Sequence, residues 1–312
     1  MYLEYFGLSK PPFRITPDTH VFFEGSDRGP TLNALIYAIE NGEGIIKVVG
    51  EVGTGKTMLC RMLPTKFQSN IDWVYLAHPS LSPDQILQEV ARELGLDIGP
   101  YPDKLLVMRQ LQTTLLERYA SNRRVVVLVE EAQVMPLETL EELRLLSNLE
   151  TDEHKLLQIV LFGQPELDEN LAARKIRQLR ERITHSLYLA PLPLEDIHAY
   201  LNFRIRAAGY RGPDLFSTHV AATIDKYSHG LIRRINILAD KALLTAYARD
   251  SYDLTSHDIK VAAEDSQYEP RRRRWPWSEA IAAIMLVVNL NLFDDINAPA
   301  YQPAGNLYEI SR

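Results

Sequence analysis

A mostly apolar run, Ile45-Ile-Lys-Val-Val49, leads directly into Gly50-Glu-Val-Gly-Thr-Gly-Lys-Thr57. No other stretch restricts the fold so strongly. The run reads as a strand buried on both faces, and a helix is predicted from about Lys56. Between them lies the full GxxxxGK[ST] pattern in its required strand-to-helix context. Glycines let the backbone curl until successive N–H groups point inward at phosphate oxygens. The helix adds its free N–H groups and the positive end of its dipole. The expectation is a site for ATP with Mg2+ formed by Gly50, Glu51, Val52, Gly53, Thr54, Gly55, Lys56, Thr57 and Met58. In it Lys56 reaches the β- and γ-phosphates and the Thr57 hydroxyl serves as a magnesium ligand.

The flanking sequence predicts an α/β domain. Strand patterns at Trp73–Leu76, Val125–Val129, Leu156–Phe162 and Ser186–Leu189 alternate with helical ones at Leu32–Glu40, Pro83–Leu94, Asp103–Tyr119 and Leu137–Leu149. Such alternation implies a parallel sheet flanked by helices. After Pro191 only helical patterns follow: Leu194–Ala208, Thr218–Ser228, Ile232–Asp250 and Ser256–Asp265. The expected division is an irregular lead-in (1–30), a P-loop nucleotide-binding domain (31–191) and a small all-helical lid domain (192–268). A basic linker (269–274), a membrane helix (275–293) and a short tail (294–312) complete it.

Val125–Val129 ends in Glu130-Glu131. In P-loop ATPases an apolar strand beside the loop strand carries an acid that holds magnesium, usually through water. Glu130 is that acid here, and Glu131 falls where a general base would take a proton from water. Gln164, just past the strand Leu156–Phe162, is placed to lie between the γ-phosphate and that water. Arginines near phosphates stabilise developing charge. Arg233, at the start of a helix after Gly230, reaches the γ-phosphate if the helical domain folds over the nucleotide. Arg182 reaches a neighbour's nucleotide if the chain forms a ring. For Arg180 and Arg234 a surface role is expected.

Composition narrows the alternatives. Hydrophobic residues make up 46% of the 312, enough for a core. The net charge of -7 argues against a dedicated nucleic-acid binder, and no nucleic acid is expected as partner. A single cysteine, Cys60, excludes an internal disulfide and reads as a small buried apolar residue. The opening Met1-Tyr-Leu-Glu-Tyr-Phe6 lacks a basic start and a long apolar run, so the body is expected in the cytoplasm.

Several segments together resemble the ExeA/GspA-type AAA+ ATPases. They are Tyr5–Leu8, Pro11–Phe13, Pro17-Asp18 and Phe22-Phe23 in the lead-in, the phosphate loop, Leu128–Gln133, Glu142–Glu150, Leu161–Leu167 and Gly230–Asn236. The resemblance covers about residues 1–265. It implies an AAA+ fold with a helical lid, a homo-oligomer, and work with envelope assembly proteins of type II secretion or of type IV pili of the MSHA kind. It makes Gln164 resemble the first sensor, Arg233 the second and Arg182 the arginine finger. Two positions depart from the family pattern. Glu130 stands where aspartate is usual, and Ile232 stands where proline is usual.

Arg271–Arg274 is a run of four arginines, followed by Trp275-Pro276-Trp277 and the mostly apolar Ala280–Phe293. Arginines inside, aromatics at the interface and an apolar helix are the order of a membrane span. A single C-terminal span at the inner membrane is therefore expected; an interfacial helix and a soluble tail are the alternatives. For function the leading expectation is ATP hydrolysis driving envelope assembly. The alternatives are a nucleotide-gated scaffold with little turnover and a DNA-dependent AAA+ ATPase of initiator or transposition type.

Overall fold

The computed structural model describes residues 1–67, 70–77, 80–100, 103–151 and 154–271. Five apolar segments form strands β1 (Ile45–Val49), β2 (Ile71–Leu76), β3 (Arg124–Val129), β4 (Leu157–Gly163) and β5 (Ile183–Tyr188). They pair in parallel in the order β2-β3-β4-β1-β5. Contrary to expectation, β3, which leads into the two glutamates, does not lie beside the loop strand. β4 lies between them, pairing with β1 on one side and β3 on the other. All seven β4 residues are buried, as the middle of a covered sheet requires. At the edge, β5 alternates half-buried and exposed positions.

Side-chain alternation divides the strands between two cores. Val125, Val127, Val129, Ile159 and Leu161 face one, and Val126, Leu128, Val160 and Phe162 the other. The second face is covered by α2 (Arg28–Glu40) and α3 (Lys56–Lys66). α2 starts four residues before the predicted Leu32. Pro30 falls in its first turn, where a missing N–H leaves no bond unmade. The first face is covered by α4 (Pro83–Glu93), α5 (Lys104–Ala120), α6 (Leu137–Leu146) and α7 (Glu166–Ala172). Ser82 and Gln85 form a capping box on α4, and Asp103 accepts from Leu105 and Leu106 N–H at the start of α5. α7 and the single-turn α8 (Arg177–Arg180) were not expected from the sequence. Both are too short to show helical periodicity.

The last helices, α9 (Leu194–Ala207), α10 (Thr218–Ser228), α11 (Ile232–Ala248) and α12 (Ser256–Asp265), enclose a third core. Thr255 and Asp258 form a capping box at the start of α12. The lead-in supplies Phe6, Leu8 and Phe13 to this core, after a short helix α1 (Tyr2–Tyr5). Phe13 meets Phe216 edge-on at 5.6 Å, and both the N–H and the hydroxyl of Ser9 donate to Ala208 O at 2.8 Å. The N-terminal segment thus belongs to the helical core, and Met1–Pro270 is one compact unit. No helix among the described residues is long and apolar enough to cross a membrane. The expected span at 275–293 lies outside them.

Candidate functional site

Two glycines let the loop after β1 take its shape. Gly53 and Gly55 have φ of 83° and 108°, conformations that an L side chain rarely adopts. A Cβ on Gly53 would also sit 2.9 Å from that of Arg233. Gly55 caps α3, so the first N–H groups of that helix open toward the loop's interior. Lys56 is buried and its ammonium turns back onto the Gly50 and Glu51 carbonyls at 2.6 and 3.0 Å. Burial lowers its pKa, against the pull of Glu131, Glu51 and Glu130. Such an ammonium gains by exchanging carbonyl dipoles for a full negative charge.

The loop opens on a cavity of about 420 Å3, lined by Val52, Gly53 and Gly55–Met58 on one side. The Thr57 hydroxyl donates to Glu130 Oε2 at 2.9 Å, bringing the two expected magnesium-side groups together. Glu130 is also approached from β2. The Tyr75 hydroxyl donates to Oε1, and the Cys60 thiol faces the same carboxyl. Burial, then Glu130, raises the pKa of both Tyr75 and Cys60, so both stay protonated at neutral pH. Cys60 is buried in the core as expected.

Glu131 adopts φ 53°, a left-handed conformation that costs a non-glycine residue about 1 kcal/mol. The turn aims its carboxylate at two amides. Oε2 accepts from Gln133 Nε2 at 2.7 Å and from Gln164 Nε2 at 3.0 Å. Gln133 Oε1 in turn accepts the Gln164 N–H at 3.0 Å. Burial alone would raise the Glu131 pKa. The two amides and the Lys56 charge outweigh it and hold the carboxyl below its ordinary range. Gln164 sits beside Glu131 at the end of β4. The role of Gln133 carries no signal in the sequence, because it arises only when the ends of β3 and β4 come together.

The other side of the cavity comes from distant parts of the chain. Arg14–Pro17 and Val21–Phe23 of the lead-in line it, as do Tyr200, Arg204 and Asn236 of the helical part. Arg204 is buried and clamps the lead-in: Nε donates to Pro12 O at 2.8 Å and Nη1 to Tyr200 Oη at 3.0 Å. Tyr200 donates on to Asn236 at 2.7 Å. Arg28, also buried, donates through Nη2 to Thr54 O at 3.2 Å and Ala190 O at 2.8 Å, and burial lowers its pKa to about 10. None of these four side chains was singled out in the sequence, since each acts through partners far along the chain.

Arg233 meets the phosphate loop through its backbone. Arg233 lines the cavity, and its N–H donates to Gly53 O at 3.1 Å, joining the first turn of α11 to the phosphate loop. Arg182 does not line the cavity. It lies just before β5, half-buried, where with Lys155 it helps hold the Glu150 carboxyl below its usual range. Arg180 is exposed, 3.8 Å from Glu181, and Arg234 lies 5.0 Å over the Tyr268 ring.

The residues fit a magnesium nucleotide. Two glycines hold a curled backbone that a Cβ would strain, a buried lysine rests on carbonyls, and a hydroxyl–carboxylate pair stands at the loop's end. Lys56 and the N–H groups of Gly53–Thr57 would hold the phosphates, and Thr57 with Glu130 the hydrated cation.

Residues 39–171 match the family described as an AAA domain. The chain is similar to general secretion pathway protein A of Aeromonas hydrophila, 40% identical over 263 residues. That match covers 84% of this chain and 48% of the relative, so the chain spans about half the length of the curated relative it matches. Among solved structures, Cdc6p of Pyrobaculum aerophilum is similar with a TM-score of 0.64 at 17% identity, covering 80% of this chain and 71% of that one. The ORC2 protein of Aeropyrum pernix, solved as ADPNP–ADP complexes, is similar with a TM-score of 0.57 at 20% identity over the same shares. At these identities the two structures establish the fold.

Proposed function

We propose that this chain is an ATP hydrolase of the AAA+ type that works with magnesium, and that its turnover drives assembly of a secretion or pilus system at the inner membrane. The observation that carries the chemistry is the convergence of two strand-end acids on the loop. Glu130 is bonded to Thr57 at 2.9 Å, and Glu131, held by Gln164 at 3.0 Å, lines the same cavity as the loop. In this reading Lys56 and the loop N–H groups bind the phosphates. Thr57 and Glu130 would hold a hydrated magnesium ion, which would offset phosphate charge. Glu131, ionised and oriented by two amides, takes a proton from water. Gln164 positions that water, Arg233 closes on the γ-phosphate from the lid, and Arg182 acts on the nucleotide of a neighbouring copy in a homo-oligomer. Residues 31–191 serve as the nucleotide-binding domain and 192–268 as the lid.

The process is supported by the likeness to general secretion pathway protein A. The finer reading, an ATPase of MSHA-type pilus biogenesis similar to MshM with a C-terminal membrane tether at 275–293, is supported by the motif set and by the arginine, tryptophan and apolar order of the tail. One observation favours a second reading, a nucleotide-gated scaffold: both Glu130 oxygens already hold hydrogen bonds, from Thr57 and Tyr75. Phosphate release by the purified chain separates the two. Lys56→Ala is expected to abolish nucleotide binding and release together. Glu131→Gln is expected to bind ATP normally and to lose roughly 10²- to 10⁴-fold in turnover. Tight binding with no turnover in the unaltered chain would favour the scaffold, and undiminished release by Lys56→Ala would overturn both readings.

A further inference from the structure

Glu130 is one methylene longer than an aspartate, and β2 shows what accommodates the extra length. Tyr75 stands opposite Leu128 in the β2–β3 register. Side chains two apart on a strand share a face, so Glu130 projects on the same side, one pleat further. The Glu130 N–H donates to Leu76 O at 3.2 Å, so the pairing runs through Glu130 and fixes its backbone. From there the carboxylate spans two donors on different elements. The Tyr75 hydroxyl on β2 gives to Oε1, and the Thr57 hydroxyl on α3 gives to Oε2 at 2.9 Å.

We propose that Tyr75 is the positioning residue for Glu130, occupying one carboxylate oxygen so that the other is held against Thr57 at the cation site. The assignment rests on reading Glu130 as the magnesium-side acid. An aspartate on the same backbone falls short by about 1.5 Å, one C–C bond, and cannot join both hydroxyls. Tyr75 and Glu130 thus act as a matched pair. A long acid gains rotamers that a short one lacks, and the phenol removes them. Partners of this kind fix the orientation of groups at a metal and tune its affinity without touching the metal. Tyr75 is 37% exposed at the sheet edge, so Tyr75→Phe keeps the ring and its packing and deletes only the donor.

The test is a magnesium titration of the full chain with a fluorescent ADP analogue, read as binding rather than turnover. Tyr75→Phe is expected to raise the Mg2+ concentration for half-maximal binding about tenfold, in line with the loss of a partner behind a metal-side group. Affinity for the analogue in excess EDTA is expected to stay unchanged. In a Glu130→Asp background the same substitution is expected to shift the titration less than about twofold, because the shorter acid cannot bridge the phenol and Thr57. Three results overturn the assignment: no shift with Tyr75→Phe, equal shifts in both backgrounds, or an equal loss in EDTA. Failure of the unaltered chain to bind the analogue at any magnesium concentration overturns the nucleotide reading itself, and is distinct from a silent Tyr75→Phe in a chain that binds.

Discussion

The two ends of the cavity are built in different ways. At the phosphate end the working groups sit on the rim of one parallel sheet, and most come from two short runs, Gly50–Met58 and Glu130–Gln133. The opposite end is closed by pairs far apart in the chain: Arg204 on Pro12, Asn236 beside Arg14, Arg28 on Ala190. Its polar groups bond to one another and to backbone carbonyls and hold segments in place, although Arg28 Nε and Nη1 are buried with no hydrogen-bond partner among the described residues. The phosphate end holds groups in unfavourable states, with Glu131 at positive φ and Lys56 buried on carbonyls. Substitutions at the first end should therefore cost turnover, and substitutions at the second should cost stability and nucleotide affinity.

The sharpest separation comes from Glu131→Gln. Its loss of roughly 10²- to 10⁴-fold in turnover should come with a cost of only about 1 kcal/mol in unfolding free energy, since the amide oxygen still accepts from both glutamines while the pull of Lys56 is lost. Denaturant unfolding of the two chains side by side checks this. The reverse pattern is expected for Arg204→Met. Pro12 O and the Tyr200 hydroxyl lose a buried partner, at a cost of about 3 kcal/mol in stability. Nucleotide affinity should fall with it, while turnover at saturation changes little. A fall in turnover alone would break the distinction between the ends.

Next in size is Asp258→Asn, within the helical part. Burial would raise the Asp258 pKa, but the Arg249 guanidinium and the Thr255 N–H and hydroxyl hold it below the ordinary range. A carboxyl lowered on folding adds stability at pH above its unfolded pKa, and that stability disappears as pH falls through the folded value. Asp258→Asn should therefore cost about 2 kcal/mol at neutral pH and progressively less in acid, as thermal melts across pH would show. The smallest effect is expected from Gln133→Leu. Without that donor the lowered Glu131 pKa moves back up. A base acts only when ionised, so the acid limb of the kcat/KM profile should move to higher pH with little change at neutral pH.

Much of the phosphate end could be read from the sequence, because glycine, lysine and threonine at fixed spacing report a local backbone shape. The helices with caps, such as Ser82–Gln85, were legible for the same reason. Strand order was not. The insertion of β4 between β1 and β3 is decided by long-range pairing, which no local pattern encodes. Tyr75 and Glu130 lie on different strands, and their contact depends on a register fixed only by folding. The lead-in's aromatic residues announced that it packs on something. That Phe6, Leu8 and Phe13 join the helical core, while Arg14–Pro17 line the cavity, follows from a partner some 190 residues away.

Both ends should respond when one ligand fills the cavity, and hydrogen exchange of the Glu131→Gln chain with and without magnesium ATP measures this directly. The account predicts slower exchange on binding in peptides covering 52–58 and 14–23 alike, with Lys56→Ala abolishing protection in both. Protection confined to the loop, with the lead-in unchanged, would contradict it.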